Sequence, residues 1–240
     1  MITFSKLGSY GRMGNQLFQM AATIGHALRN KNDYAFPTWS YMWDFNIPVT
    51  QFKKIIPGRK YEEPHYHHSP IPYWGNMDLH GYFQSEKYWQ EFSPYIKQIF
   101  VPKHNMQRLA GTTAIHVRRG DYLIHKGCYE ILGMTYYENA MSMANTSKYL
   151  VFSDDINWCK AHFIGNNFEF SEGNSAPIDL SIMRSCEKCI IANSSFSWWG
   201  AYLNGNAKQI IAPNKWFGPV LAKTHNTKDL IPNGWNLIDV

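Results

Sequence analysis

The chain has 240 residues, enough for one large domain or two small ones at the usual ~100–200 residues per domain. A hydrophobic share of 45% with only 17% charged residues excludes intrinsic disorder, coiled coil and collagen-like structure. The net charge of +5, from 23 Lys/Arg against 18 Asp/Glu without a run of five or six like charges, argues against a nucleic-acid-binding tail and suits an anionic small ligand.

A short strand at Ile2–Lys6 opens the chain, followed by the glycine-rich loop Gly8–Gly14. A helix follows, with Leu17, Phe18, Ala21, Ile24 and Leu28 at helical spacing on one face. Asn30–Asp33 ends it, and Tyr34–Phe36 reads as the next strand. Residues 37–76 are irregular and rich in Pro, Tyr, Trp and His, a length and composition that suit an acceptor or lid region. Met77–Phe83 reads as a strand and Glu86–Ile99 as a helix, with a boundary near residues 101–112. Beyond it, strand-like runs at Thr113–Val117, Tyr149–Ser153, Phe168–Phe170, Cys189–Ala192 and Gln209–Ala212 alternate with helical stretches. Those stretches are Thr135–Asn145, Asp155–Phe163, Ala176–Arg184 and Ser197–Leu203. The alternation predicts βαβ units and a doubly wound parallel sheet, which binds ligands at the carboxyl ends of its strands.

Four segments carry chemistry. The run Ala114–Tyr122 takes a buried strand into Arg118, Arg119, Gly120 and Asp121. Two guanidiniums at a strand end match phosphate oxygens bidentately, whereas the alternative is an arginine pair salt-bridged to Asp121. Leu150–Asp155 is a second strand ending in polar groups; one of Asp154 and Asp155 suffices as a helix cap, leaving the other for a ligand such as a guanine edge. Ile191–Ala201 ends a third strand in Asn193, Ser194 and Ser195 before Phe196 and a helix. Its first N–H groups and hydroxyls favour an anion, unless the serine only caps a helix whose Trp198 and Trp199 belong to the core. The fourth segment, Gly8–Gln16, is neither a dinucleotide fingerprint nor a P-loop; it reads as a glycine-rich turn that presents Asn15 and Gln16.

Other clusters read as structural. Cys186 and Cys189 lack a second cysteine pair to complete a zinc site, and Cys189 falls in an apolar strand. His65, His67 and His68 with Glu62 and Glu63 read as a solvated polar loop rather than a metal site. No Asp-x-Asp occurs, so a carboxylate-held divalent ion has no obvious home and arginine charge would replace it. Four cysteines are too few for a disulfide scaffold, and neither a signal peptide nor ~18 consecutive apolar residues occurs, so a soluble cytoplasmic chain is expected.

Together the segments GRMGNQLFQMA, HVRRGDY, VFSDD and DLSIMRSCEKCIIANSSFSWWGAYL, spread over residues 8–203, resemble the bacterial and viral α-1,2-fucosyltransferases of glycosyltransferase family 11. Gly-Arg-Met-Gly stands where the family more usually has Gly-Gly-Leu-Gly. The resemblance implies an α/β fold of two Rossmann-like domains facing across a cleft (GT-B type), with residues 1–110 on the acceptor side and 111–240 binding the donor. It implies GDP-fucose as donor, no further cofactor, a galactose-containing glycan as acceptor, and inversion at the anomeric carbon without a metal. In the same way Arg118, with Arg119, would neutralise the departing pyrophosphate, and His116 with Asp154 or Asp155 would contact guanosine. Ser194, Ser195 and Phe196 would close over phosphates and fucose, and Gly14, Asn15 and Gln16 would complete the site from the other domain. Asp121, the nearest carboxylate to the arginines in sequence, is the candidate base; the alternatives are that it only orients Arg118 or Arg119, or that no base acts and the proton leaves late. The alternatives are a transferase of another linkage or GDP-sugar, and an inactive nucleotide-sugar or glycan-binding module.

Overall fold

The computed structural model describes residues 1–104, 106–125 and 127–240. The chain divides into two compact units, residues 1–103 with 225–232 and residues 104–224 with 233–240.

The first unit is built on a parallel sheet of β1 (Ile2–Thr3), β2 (Tyr34–Ala35), β3 (Arg59–Glu62) and β4 (Met77–His80) in the order β2-β1-β4-β3. Between β1 and β2 runs helix α1 (Met13–Arg29), which is buried from Gln16 to Ala27, well beyond the one apolar face expected. The polar members of that stretch are accommodated by internal bonds: Thr23 Oγ1 donates to the Gln19 carbonyl and Gln19 Nε2 to that of Tyr10. The single helix expected at 86–99 is broken into turns at Glu86–Tyr88 and Gln90–Phe92 and helix α2 (Ser93–Ile99). Pro94 explains the break: it has no N–H and its ring would strike a carbonyl one turn earlier, but it fits the first turn of a helix. Strand β4 stops at His80, before a turn in which Phe83 takes a left-handed backbone with φ of 52°. Strand β3 lies inside the stretch expected to be irregular; only Tyr61 of its four residues is buried, as suits a charged edge strand.

The second unit contains β5 (Leu109–Val117), α3 (Gly120–Ile124), α4 (Met134–Ala144), β6 (Lys148–Ser153), α5 (Ile156–His162), β7 (Phe168–Phe170), α6 (Ala176–Met183), β8 (Cys186–Ile190), α7 (Ser195–Tyr202), β9 (Gln209–Pro213) and β10 (Asn236–Ile238). Its six strands are all parallel, in the order β10-β9-β8-β5-β6-β7. This is a doubly wound sheet whose direction of winding reverses between β5 and β8. Residues Thr112–Val117 of β5 are all buried, because a central strand of a parallel sheet is covered on both faces. Ile115, Val117, Val151, Ile190 and Ile211 join Tyr137 and Ala140 of α4 in one core, and Trp198 and Trp199 of α7 are likewise inaccessible. All four cysteines are free thiols; burial pushes that of Cys189 up to about 12, far from a reactive thiolate. No helix among the described residues is long and apolar enough to cross a membrane.

Ile115→Ala in the fully buried centre of β5 is expected to lower the unfolding free energy by about 2–5 kcal/mol in denaturant titrations. Ile164→Ala, at a position 73% exposed, is expected to change it by less than about 0.5 kcal/mol.

Candidate active site

The three polar strand ends of the second unit converge at the reversal point of its sheet. Register places Val117 beside Ser153 and Ile115 beside Ile190, so β5, β6 and β8 finish next to one another. Arg118 and Arg119 leave β5 with side chains only 14% and 16% exposed, and cations so placed need partners. Arg118 donates to Asp121 Oδ1 at 2.6 Å and pairs with Asp154 Oδ2 at 3.0 Å. The Arg119 Nε meets Asp155 Oδ2 at 3.2 Å, while its backbone N–H donates to Asp154 Oδ1 at 3.0 Å. Asp154 therefore ties both arginines to the end of β6. Asp155 also caps α5, accepting from the Trp158 N–H at 3.3 Å, so the helix-cap alternative holds for Asp155 while its other oxygen is taken by Arg119. Each guanidinium also lies over a ring, Arg119 at 4.1 Å from the centroid of Trp158 and Arg118 at 5.4 Å from that of Tyr122.

Gly120 is required by this packing. A Cβ there would stand 2.4 Å from Asp154 Oδ2, the oxygen that pairs with Arg118. Two residues on, Tyr122 sends its hydroxyl to the Asn193 carbonyl at 2.7 Å and stacks on Tyr129 with centroids 4.0 Å apart. Asn193 is fully buried and donates through Nδ2 to the carbonyls of Glu130 and Trp216, fixing two loops to the end of β8. Tyr122, Asn193 and Trp158 thus have positioning roles that residue types alone did not single out, although the first two stand inside the motifs.

His116 lies below the arginines, 5% exposed, with its ring centroid 5.4 Å from that of Phe196. Burial, then the Arg118 charge, pulls its pKa down to about 3, so the ring is neutral. Ser194, Ser195 and Phe196 form the entry to α7; Ser194 caps it by position without a side-chain bond, and the latter two are half-buried. The first unit holds Gly14, Asn15 and Gln16 in the first turns of α1. Gln16 links the Gly11 carbonyl (2.9 Å) to the Trp39 indole N–H (2.6 Å), and Asn15 Oδ1 accepts from Gln84 Nε2 at 2.8 Å. Gly11, at φ of +76°, allows this turn, since a Cβ there would lie 2.0 Å from Asn15 Nδ2. Among the described residues no three His, Cys, Asp or Glu side chains are grouped so as to hold a metal ion.

The family model of glycosyl transferase family 11 matches residues 33–239, most of the chain. The chain belongs to that family. Among its relatives, an α-1,2-colitosyltransferase of Escherichia coli is 32% identical over 187 residues, which cover 69% of this chain and 63% of the relative. The galactoside α-(1,2)-fucosyltransferase 2 of Oryctolagus cuniculus is 25% identical over 244 residues, 83% of this chain and 66% of the relative. The chain thus spans a little under two thirds of the length of these relatives. Its fold is similar to that of the NodZ α-1,6-fucosyltransferase, solved after soaking with GDP-fucose, with a TM-score of 0.54 at 12% identity over 89% of this chain and 94% of that one. A further structure, of NodZ from Bradyrhizobium, aligns with the same TM-score. The family 11 match takes in all three strand ends of the second unit and starts after Gly14, Asn15 and Gln16.

Gly120→Ala is expected to displace the Asp154 carboxylate and cost about 1–3 kcal/mol by overpacking, read as a lower denaturation midpoint. His116 gives a pH dependence of defined sign. Unfolding returns its pKa from about 3 to the ordinary ~6.5, so the unfolded chain binds the extra proton and stability falls as pH drops from 6.5 towards 3. His26, pulled down to about 4 by burial and then by Arg29, acts in the same direction, and Glu63, pushed up to about 7 by burial, in the opposite one. The measurement is therefore the difference in slope between the parent and His116→Asn in urea melts over pH 4–6.5, with the parent expected to lose stability more steeply on acidification.

Proposed function

We propose that the chain is an inverting, metal-independent glycosyltransferase that moves L-fucose from GDP-fucose to a glycan hydroxyl, O2 of a terminal β-galactoside. The observation that carries this reading is the pair of adjacent guanidiniums at the carboxyl end of β5, at the reversal point of a parallel sheet. Family membership supports glycosyl transfer, the name of the rabbit relative supports the α-1,2 linkage to a galactoside, and the NodZ fold supports a GDP-fucose donor.

Glycosyl transfer passes through an oxocarbenium-like state while the departing diphosphate gathers negative charge. Arg118 is assigned to that charge, with Arg119 beside it, because fixed guanidiniums stabilise a developing anion without reorganising. Their carboxylate partners keep them in place until phosphate oxygens arrive. His116, Asp154 and Asp155 are assigned to the guanosine, and Ser194, Ser195 and Phe196 to the phosphates and sugar. Asp121 is bonded to Arg118, which favours orientation of that arginine over proton transfer as its task. In this reading the second unit binds the donor, and the first, with Gly14, Asn15 and Gln16, serves the acceptor side in the manner of a GT-B enzyme.

One observation favours a second reading: the relative of 32% identity is a colitosyltransferase, so a colitosyl donor is the main competitor to GDP-fucose. GDP release from each donor, with lactose or N-acetyllactosamine and in EDTA, separates the two. Acceptor-dependent release from GDP-fucose is the expected result, and release only with the colitosyl donor would replace the first reading. Arg118→Ala is expected to lower turnover by at least ~100-fold in the same assay; a near-parental rate would remove Arg118 from the reaction.

A further inference from the structure

Between Asp44 and Glu62 the chain holds no acidic residue, and the four cations of that stretch, Lys53, Lys54, Arg59 and Lys60, fall within eight positions. They flank Ile55, Ile56 and Pro57 in a connection without helix or strand. The connection leaves Phe52, which is bridged to Phe36 just beyond β2, and enters β3; the two strands lie at opposite edges of the first unit's sheet. All four cations are exposed, and Ile56 is 80% exposed, although isoleucine is among the residues most often buried. Lys60 pairs with Glu62 at 2.9 Å, whereas among the described residues Lys53, Lys54 and Arg59 have no carboxylate partner. The Arg59 end is fixed to an aromatic rim. Its N–H donates to the Asn76 carbonyl at 3.0 Å, and Gly58 packs so closely there that a Cβ would stand 2.4 Å from that carbonyl. The Arg59 guanidinium lies over the Trp74 ring at 4.1 Å from its centroid, and Tyr61 meets the same ring edge-on at 6.0 Å. Trp74 is 41% exposed; Tyr73 is 47% exposed and its hydroxyl accepts from Asn32 Nδ2 at 3.1 Å. A single exposed apolar residue needs no explanation, but here an isoleucine is carried outwards among unpaired cations beside two fixed aromatic rings.

We propose that residues 53–60, with Tyr73 and Trp74, form a docking surface for the headgroup region of an anionic lipid bilayer. Lys53, Lys54 and Arg59 meet the lipid phosphates, and Ile56 enters the boundary of the acyl chains. The two rings lie at headgroup level, where amphipathic aromatics gather. Charge alone would suit any polyanion. Ile56 is what selects a bilayer: a soluble polyanion offers no apolar phase to receive an exposed side chain, whereas a bilayer removes it from water. Each cation near an anionic leaflet strengthens partition about fivefold, so three of them give on the order of a hundredfold, and the docking is reversible. Every group involved belongs to the first unit, and none is assigned to the donor, so the docking is independent of which sugar is transferred.

The test is flotation of the whole chain with vesicles of phosphatidylglycerol and phosphatidylcholine in equal parts, against vesicles of phosphatidylcholine alone. The chain is expected to float with the mixed vesicles and to stay behind with the neutral ones. Binding is expected to weaken as salt shortens the Debye length from ~10 Å at ~0.1 M to ~3 Å at ~1 M. Replacing both lysines, Lys53→Ala with Lys54→Ala, is expected to weaken partition by about 25-fold, and Ile56→Ser by about tenfold. Ile164→Ser, at a position 73% exposed in the other unit, is expected to leave partition unchanged. All these side chains are exposed, so each variant is expected to keep the parental melting temperature; if the double alanine variant does not, Lys53→Gln with Lys54→Gln takes its place. No flotation with the mixed vesicles, or equal flotation with both kinds, overturns the docking surface. So does a double lysine variant that partitions within about twofold of the parent. An Ile56→Ser variant that partitions like the parent, while the lysine variant fails, overturns it too and leaves a surface for a soluble polyanion in its place.

Discussion

Two like charges side by side at the end of a buried strand form the constraint around which the second unit is organised. Adjacent guanidiniums repel each other and are poorly hydrated when mostly covered, so Arg118 and Arg119 stay where they are only because Asp121, Asp154 and Asp155 surround them. Removing one partner from such a network is costly because it leaves a largely covered charge without its counter-ion. The residue types that follow β5 answer to this need. Gly120 makes room for the Asp154 oxygens, Asp121 reaches back across three positions to Arg118, and Tyr122 offers its ring to the cation and its hydroxyl to the end of β8. Three strand ends become one rigid site through side chains that the ligand itself need not touch.

The two units share a device and use it with opposite chemistry. In each, the sheet is parallel and its first strand is central, and polar side chains gather near that strand. In the second unit two guanidiniums are held by three carboxylates at the end of β5. In the first, one carboxylate, that of Asp78, is buried among two hydroxyls, a backbone N–H and the His80 ring, which packs against Phe4 and Tyr10.

What was legible in the sequence follows from how strongly each element is marked. The central strands β5 and β6 stand out because both faces are covered and their residues are apolar without alternation. Strand β8 was expected at Cys189–Ala192 but runs from Cys186 to Ile190, since Glu187 and Lys188 obscure its start. Glu187 fits there by accepting the Gly111 N–H and pairing with Lys208. Edge strands β3 and β10 expose most of their residues and have no apolar pattern to betray them. The arginine site was visible because its parts are contiguous in the chain. The Asp78–His80 pair was within the expected strand Met77–Phe83, and the available signal was an Asp-x-His alternation at a strand end. It went unread because its hydroxyl partners, Thr3 and Ser5, lie more than seventy residues away.

The amino-terminal motif separates resemblance from role. Gln16 bonds to the Gly11 carbonyl and the Trp39 indole, and Trp39 packs within 5.2 Å of Phe45 and 6.2 Å of Phe52. A side chain so engaged organises the segment after β2, which has little regular structure of its own. Asn15 differs: it is half-buried, and its carbonyl closes a chain through Gln84 to the Tyr66 hydroxyl. That chain reaches the turn after β4, where Glu63 grips the backbone of Tyr82 and Phe83. Exchanging one hydrogen bond of such a chain for a ligand hydroxyl leaves its members paired, whereas Gln16 would have to give up the Gly11 carbonyl and the buried Trp39 indole. Of the two amides, Gln16 is the more fully engaged, and it is the one that keeps the loop in shape.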